Sequence, residues 1–249
     1  MSPIEVSTII FLCIFGGALV GMWLRGVLPR RHLDDETKDL VKLGVGLVGT
    51  MAALLLGLLV ASAKSSHDTR SSELTQMAAN TILLDRTLAH YGPETGQIRG
   101  MLKTAVARMI DQIWARNGEV GKLPTQAGGE VVFDKIQELE PRSDAQRAIQ
   151  SQAESMAINL GQTRWLLFEQ SGSSISMPFL VVVVFWLSVL FVSFGLFAPR
   201  NPTAVIVLMV SAISIAGALF LILELDHPFS GLIQISSAPL RNALSVLGR

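Results

Sequence analysis

Charge is missing from four apolar blocks of this chain, at residues 6–24, 43–63, 177–197 and 203–223, each 19 to 21 residues long and without Asp, Glu, Lys, Arg or His. A helix rises 1.5 Å per residue, so about 20 residues cross a hydrocarbon core. A soluble core helix of that length would show a polar face every turn or two, and these blocks show none. The pattern predicts an all-α membrane protein with four transmembrane helices, two N-terminal and two C-terminal. The first pair occupies residues 1–63 and the second 177–225.

Between the pairs, over residues 64–176, the apolar period becomes that of amphipathic helices and predicts a soluble helical insert. Leu74, Met77, Thr81, Leu84 and Leu88 form one stripe, and Ile98, Leu102, Ala105, Met109 and Ile113 a second. Residues three and four apart share a helix face, so each stripe needs an apolar partner. Tyr91, Gly92 and Pro93 break the first helix from the second. A Gly- and Pro-containing loop from Asn117 to Gly129 precedes a short helix, Glu130 to Leu139, which Pro141 ends. Ser143 then caps a helix reaching Gln170, with Ile149, Met156, Leu160 and Leu167 completing a small bundle. Residues 171–176 read as a hinge, Pro178 as first turn of the third span, and Asn201 with Pro202 as cap and first position of the fourth. The tail, residues 226–249, carries an amphipathic segment from Leu232 to Leu247 interrupted by Pro239, which lies along the membrane interface or docks on the insert.

At the end of the first span, Trp23 and Arg25 sit where headgroups begin. In the linker from Arg25 to Lys42, Asp34 or Asp35 is placed to cap the helix that enters the second span. Gly17 and Gly21, four apart, form a small-xxx-small face for a neighbouring helix. Gly44, Gly46 and Gly49 spell the dinucleotide fingerprint G-x-G-x-x-G, but that motif needs a preceding strand and an open helix N-terminus. Inside an apolar helix these glycines, with Gly57, read as helix packing positions.

Composition reinforces the bilayer as solvent: half of the 249 residues are hydrophobic and the mean hydropathy is positive. Formal net charge is zero, which gives no field to attract nucleic acid; membrane lipid is the expected surrounding. Cys13, the one cysteine, lies in the first span and behaves as a small apolar residue. The N-terminal Met-Ser-Pro-Ile-Glu-Val lacks the basic region of a secretory signal, so the first block is expected to be a retained helix.

Candidate chemistry is sparse. His32, His67, His90 and His227 are scattered without metal-ligand spacing, and there is no nucleophile elbow, P-loop or zinc-peptidase pattern. No metal, cofactor or enzyme activity is expected. A coupled transporter usually carries ionisable residues within its spans, and none are there. A passive pore needs only a constriction repeated around a symmetry axis. The competing class is a membrane-anchored interaction or sensory protein, whose insert binds a partner while its spans hold it at the bilayer.

Several segments together resemble the bestrophin-like domain family, membrane proteins distantly similar to bestrophin ion channels. Leu28, Pro29, Arg30, Arg31 and His32 match the family's opening motif, and Leu54 to Leu58 looks like the apolar-Gly-apolar segment of the bestrophin pore helix. Asp68 to Glu73, with Arg70 and Glu73 as its charged anchors, resembles the element that opens the cytosolic helices. Glu224, Asp226, Pro228, Phe229 and Gly231 resemble the acidic Pro-Phe-Gly signature after the last span. Leu74 replaces the usual alanine after the glutamate, Ser230 is inserted before Gly231, and the stretch from Gly57 to Arg70 is longer than in bestrophins. The acidic run of the animal calcium clasp is missing, so calcium gating is not implied.

The resemblance implies a homopentamer whose second span lines an axis, with Thr50, Leu54 and Leu58 as neck residues and inorganic ions as permeants. It gives Pro29, Arg70, Glu73, Glu224, Asp226, Pro228, Phe229 and Gly231 structural roles. It also implies a bacterial inner membrane with termini and insert in the cytoplasm. Arg25, Arg30, Arg31, Lys38 and Lys42 in the first linker argue for the opposite orientation by the positive-inside rule; the family arrangement is taken as the expectation.

Overall fold

The computed structural model describes residues 2–29, 34–114, 129–169, 177–199, 201–229 and 231–248. The expected loop before Glu130, the hinge at 171–176, the motif residues Arg30, Arg31 and His32, and Ser230 lie outside these. Among the described residues the helices are α1 (Pro3–Val27), α2 (Asp35–Tyr91), α3 (Gly96–Trp114), α4 (Gly129–Gln137), α5 (Asp144–Glu169), α6 (Met177–Phe197), α7 (Pro202–Leu225) and α8 (Ala238–Val246), and there is no strand. Four of them, α1, α2, α6 and α7, are long and apolar enough to cross a membrane.

Helix starts follow local chemistry. At α1 the Ser2 hydroxyl accepts from Glu5 N at 3.2 Å while the Glu5 carboxylate accepts from Ser2 N at 2.9 Å, a reciprocal capping box. Asp34 Oδ1 accepts from Thr37 N at the start of α2, Ser143 Oγ from Gln146 N at α5, and Asn201 Oδ1 from Ala204 N at α7. These contacts satisfy amides that have no intrahelical acceptor.

The sequence shows a change of periodicity at Lys64, but the backbone does not break there. α2 is one helix of 57 residues. No Gly or Pro occurs between Leu58 and Tyr91, so nothing local interrupts it. It stops at Gly92, whose φ of 148° favours glycine, followed by Pro93 opening a 3-10 turn. The buried Thr95 hydroxyl donates to Leu88 O at 2.6 Å and takes up one of the last free carbonyls of α2.

The chain divides into two compact units, Met1–Ser65 with Ser174–Asp226, and Ser66–Ser173 with His227–Arg249. In the first, α1 packs on α6 and α7 around Ile10, Ile14, Ala18, Val183, Leu187, Ala212 and Leu219. The α1–α6 contact is close enough to depend on glycine. A Cβ built on Gly21 would lie 2.0 Å from Val192 O, one on Gly195 would lie 2.0 Å from Ala18 O, and one on Gly17 would lie 3.0 Å from Ser188 O. Arg25 donates to Ala198 O just beyond the C-terminus of α6, where a cation also complements the helix dipole.

The second unit is a helical bundle. Leu74, Met77, Thr81, Leu84 and Leu88 of α2 are all buried, in a core shared with α3, α4, α5 and α8. In α3 the fully buried positions are Ile98, Leu102, Val106, Ile110 and Ile113, with Ala105 and Met109 only half-buried beside them. Each fully buried Leu or Ile contributes about 1.5–3 kcal/mol relative to exposure. Gln150 of α5 donates to Ile136 O and Leu139 O, closing the C-terminal end of α4. Pro239 lies in the first turn of α8 and does not interrupt a longer helix. Leu240, Ala243 and Leu247 bury the apolar face of α8 in the insert core, which decides between the two placements left open for the tail.

Candidate functional site

Of the four membrane-crossing helices, α2 has the least buried apolar stretch. Only 11% of its most apolar stretch is buried, against 28% to 33% for α1, α6 and α7. One side, through Val45, Val48, Ala52, Leu55, Leu56 and Leu59, joins the packed core. The other side carries Leu43, Leu47, Thr50, Leu54 and Leu58, spaced by three or four residues, all exposed; Leu54 is 71% and Leu58 62% accessible. Spacing of this kind holds a single stripe along a helix. The Thr50 hydroxyl donates to Gly46 O at 2.9 Å, so it is satisfied within its own helix and needs no partner.

The glycines of α2 differ from those of α1. A Cβ on Gly44, Gly46 or Gly57 would meet nothing within 4 Å, and on Gly49 only Leu190 at 3.8 Å. Close packing within this chain therefore does not account for Gly44, Gly46 and Gly57. They keep the exposed side of α2 low in profile. Exposed positions of α6 are different, including Phe179, Phe185 and Phe194, whereas residues 43–63 contain no aromatic.

The signature residues occupy two environments. In the first unit, Glu224 and Asp226 at the C-terminal end of α7 are buried, 2% and 3% accessible. Carboxylates there oppose the helix dipole and lose hydration, so they cost stability unless compensated, which marks them as built in for a reason. In the second unit, Arg70 is 3% accessible and Glu73 half-buried, both on α2. Phe229 packs edge-to-face on Trp114 with ring centroids 5.9 Å apart. The Trp114 indole N–H donates to Ile235 O, and Ile235 N donates to Pro228 O at 2.7 Å. Pro228 and Phe229 thus begin a folded turn that is pinned to the end of α3. Gly231 has φ 85°, and Pro29 is exposed beyond α1.

Gly231→Ala is expected to lower stability by about 1–2 kcal/mol, because a Cβ is disfavoured in the left-handed region. Thermal unfolding in detergent measures it. Gly100→Ala, inside α3 with open space around the new methyl, should be neutral or stabilising in the same assay.

A second geometry was not signalled by any motif. Asp85 on α2 is 1% accessible and receives Arg99 Nε on Oδ1 at 2.8 Å and Arg99 Nη2 on Oδ2 at 2.9 Å. The Asp85 hydrogen bond holds the Arg99 guanidinium above its ordinary pKa, against a smaller opposing effect of burial. Gly248 N also donates to Asp85 Oδ2 at 3.3 Å, and Lys103 Nζ to Leu247 O at 3.1 Å, so two charged groups hold the end of the tail. Among the described residues no cluster of His, Cys, Asp and Glu could hold a metal ion.

Four membrane-crossing helices and a helical insert that also gathers the C-terminal tail define an all-α membrane protein of bestrophin-like fold. The family model for the bestrophin-like domain matches residues 12–240, and the chain belongs to that family. Three crystal structures of a bacterial bestrophin homolog from Klebsiella pneumoniae, each of a single-residue mutant, share the fold. Two align with a TM-score of 0.67, covering 95% and 100% of this chain, and the third with 0.59, covering 97%; each alignment covers 99% of the homolog at 13% identity. No curated protein matches the chain in sequence.

Proposed function

We propose that this protein is a homo-oligomeric ion channel, five chains around one axis, with α2 lining the passage and Thr50, Leu54 and Leu58 forming its neck. The observation that carries the reading is the uncovered, aromatic-free stripe of α2 in a chain of bestrophin-like family and fold. An axis surrounded by copies of α2 would take that stripe out of lipid. Rings of Leu54 and Leu58 would then make an apolar constriction that passes ions only when wetted. The exposed Gly44, Gly46 and Gly57 would let neighbouring copies approach. Pro29, Arg70, Glu73, Glu224, Asp226, Pro228, Phe229 and Gly231 hold the frame. Residues 64–176 form the insert on the cytoplasmic side of a bacterial inner membrane.

Native mass spectrometry in mild detergent should give the mass of five chains. In liposomes, Leu54→Ala and Leu58→Ala should each raise ion flux about tenfold, equivalent to about 1.4 kcal/mol off the barrier. A monomer or dimer, or flux that neither substitution changes, removes the axis. The spans would then serve as an anchor for the insert.

A further inference from the structure

The helical bundle of the second unit carries a half-open cavity of about 500 Å³ between α2, α3, α4 and α5, formed by residues of that unit alone. Interiors normally pack to crystal density, and an opening of this size forfeits dispersion contacts along its walls. Its deep wall is apolar: Met77, Leu84, Leu102 and Val106 are all buried. Charge lies only at the rim, with Arg108 from α3, Arg164 from α5, and Glu130 and Asp134 from α4. An apolar interior with a few polar groups at one end, in a volume of roughly 300–1,000 Å³, is the usual form of a small-molecule site.

The two guanidiniums come from different helices. Arg164 lies over the ring of Trp165 at 5.5 Å, with one nitrogen 3.9 Å from where a Cβ on Gly129 would stand, at the first turn of α4. Arg108 is exposed and makes no ion pair with a described residue. Glu130 already sits in the first turn of α4, where the helix dipole stabilises a carboxylate, and Asp134 follows one turn later on the same helix. The guanidiniums of Arg108 on α3 and Arg164 on α5 are the cationic groups of the lining, and the fork geometry of arginine suits a carboxylate.

We propose that this cavity binds a single-chain amphiphile with an acidic head, a long-chain carboxylate, its tail against Met77, Leu84 and Leu102 and its head between Arg108 and Arg164. The proposal goes beyond the channel reading and does not depend on it, since occupancy is read whether or not ions pass.

The full chain in nanodiscs of zwitterionic lipid is exposed to a palmitate analogue with a diazirine in its tail, irradiated, and its adducts mapped by peptide mass spectrometry. Expected are adducts on α2–α5 of the insert, suppressed by excess palmitate but not by the same concentration of hexadecylamine. Arg108→Ala, an exposed position that leaves the core intact, should reduce labelling about tenfold through loss of a charge-assisted contact. Gly161→Phe should abolish it, because a Cβ there meets nothing within 4 Å and Gly161 lines the cavity. Adducts confined to α1, α6, α7 and residues 43–63 overturn the proposal, as does labelling that persists in Gly161→Phe. Suppression by hexadecylamine as strong as by palmitate overturns the acidic head and assigns the rim to Glu130 and Asp134.

Discussion

Gly195→Leu should lower the stability of the protein by about 3 kcal/mol or more and abolish folding where the membrane unit is already marginal. In most cores a larger side chain is accommodated by rotamer changes in its neighbours. Here the obstacle is backbone: the first new carbon would already lie 2.0 Å from Ala18 O, 2.9 Å from Ala18 C and 3.0 Å from Met22 N. No rotamer relieves that, so α1 and α6 must separate. Separation is costly in a bilayer because lipid tails are as apolar as leucine, and helix association rests on close packing. Gly21→Leu attacks the same seam from the other side, where a Cβ would lie 2.0 Å from Val192 O. Gly16→Ala and Gly217→Ala serve as controls, since open space surrounds a Cβ at both. Denaturation in mixed detergent micelles should show the two seam variants far below wild type and the two controls near it. Equal behaviour of all four would mean that the α1–α6 approach is looser than the structure has it.

That seam also shows how much the sequence discloses. Gly17 and Gly21 advertise a close face because their spacing of four is recognisable by itself. Gly195 is a lone glycine between Phe194 and Leu196, and nothing in its own helix says that it meets the backbone of Ala18 and Met22. Periodicity revealed the four membrane-crossing helices and the α2 stripe from Leu74 to Leu88, since burial of a helix face repeats every three or four residues. It was less complete for α3, where Ala105 and Met109 share a face with the buried residues but border the cavity, which only the assembled bundle creates. In α5 the most buried position near the middle is Ala153, whose small size concealed it among larger neighbours. The stripe through Leu54 and Leu58 was readable as a face of a helix; that it stays uncovered could be known only once α1, α6 and α7 had been placed.

Asp85→Ala should destabilise the insert by about 3–5 kcal/mol, the range for removing one partner of a buried ion pair. The substitution leaves Arg99, whose side chain is 17% accessible, without its bidentate acceptor. Arg99→Ala should be at least as harmful, because the stranded group is then a carboxylate 2% accessible, and carboxylates need charge-assisted donors when dehydrated. Asp85→Leu with Arg99→Met should recover much of the loss, since neither residue then carries a charge into the core. Asp85 and Arg99 are 14 residues apart across the Gly92 turn, a separation without any sequence signature. The pair also receives Gly248 N, so its loss has a local readout as well as a global one. Hydrogen exchange at Gly248 and tryptic cleavage at Arg241 should accelerate in Asp85→Ala more than exchange in the middle of α3. Lys103→Ala removes only the neighbouring contact to Leu247 O and should free the tail with a global cost of about 1 kcal/mol. If instead Asp85→Ala lowers stability while the tail stays as protected as in the wild type, α8 is held by Leu240, Ala243 and Leu247 alone, and the ion pair serves the α2–α3 contact without restraining the C-terminus.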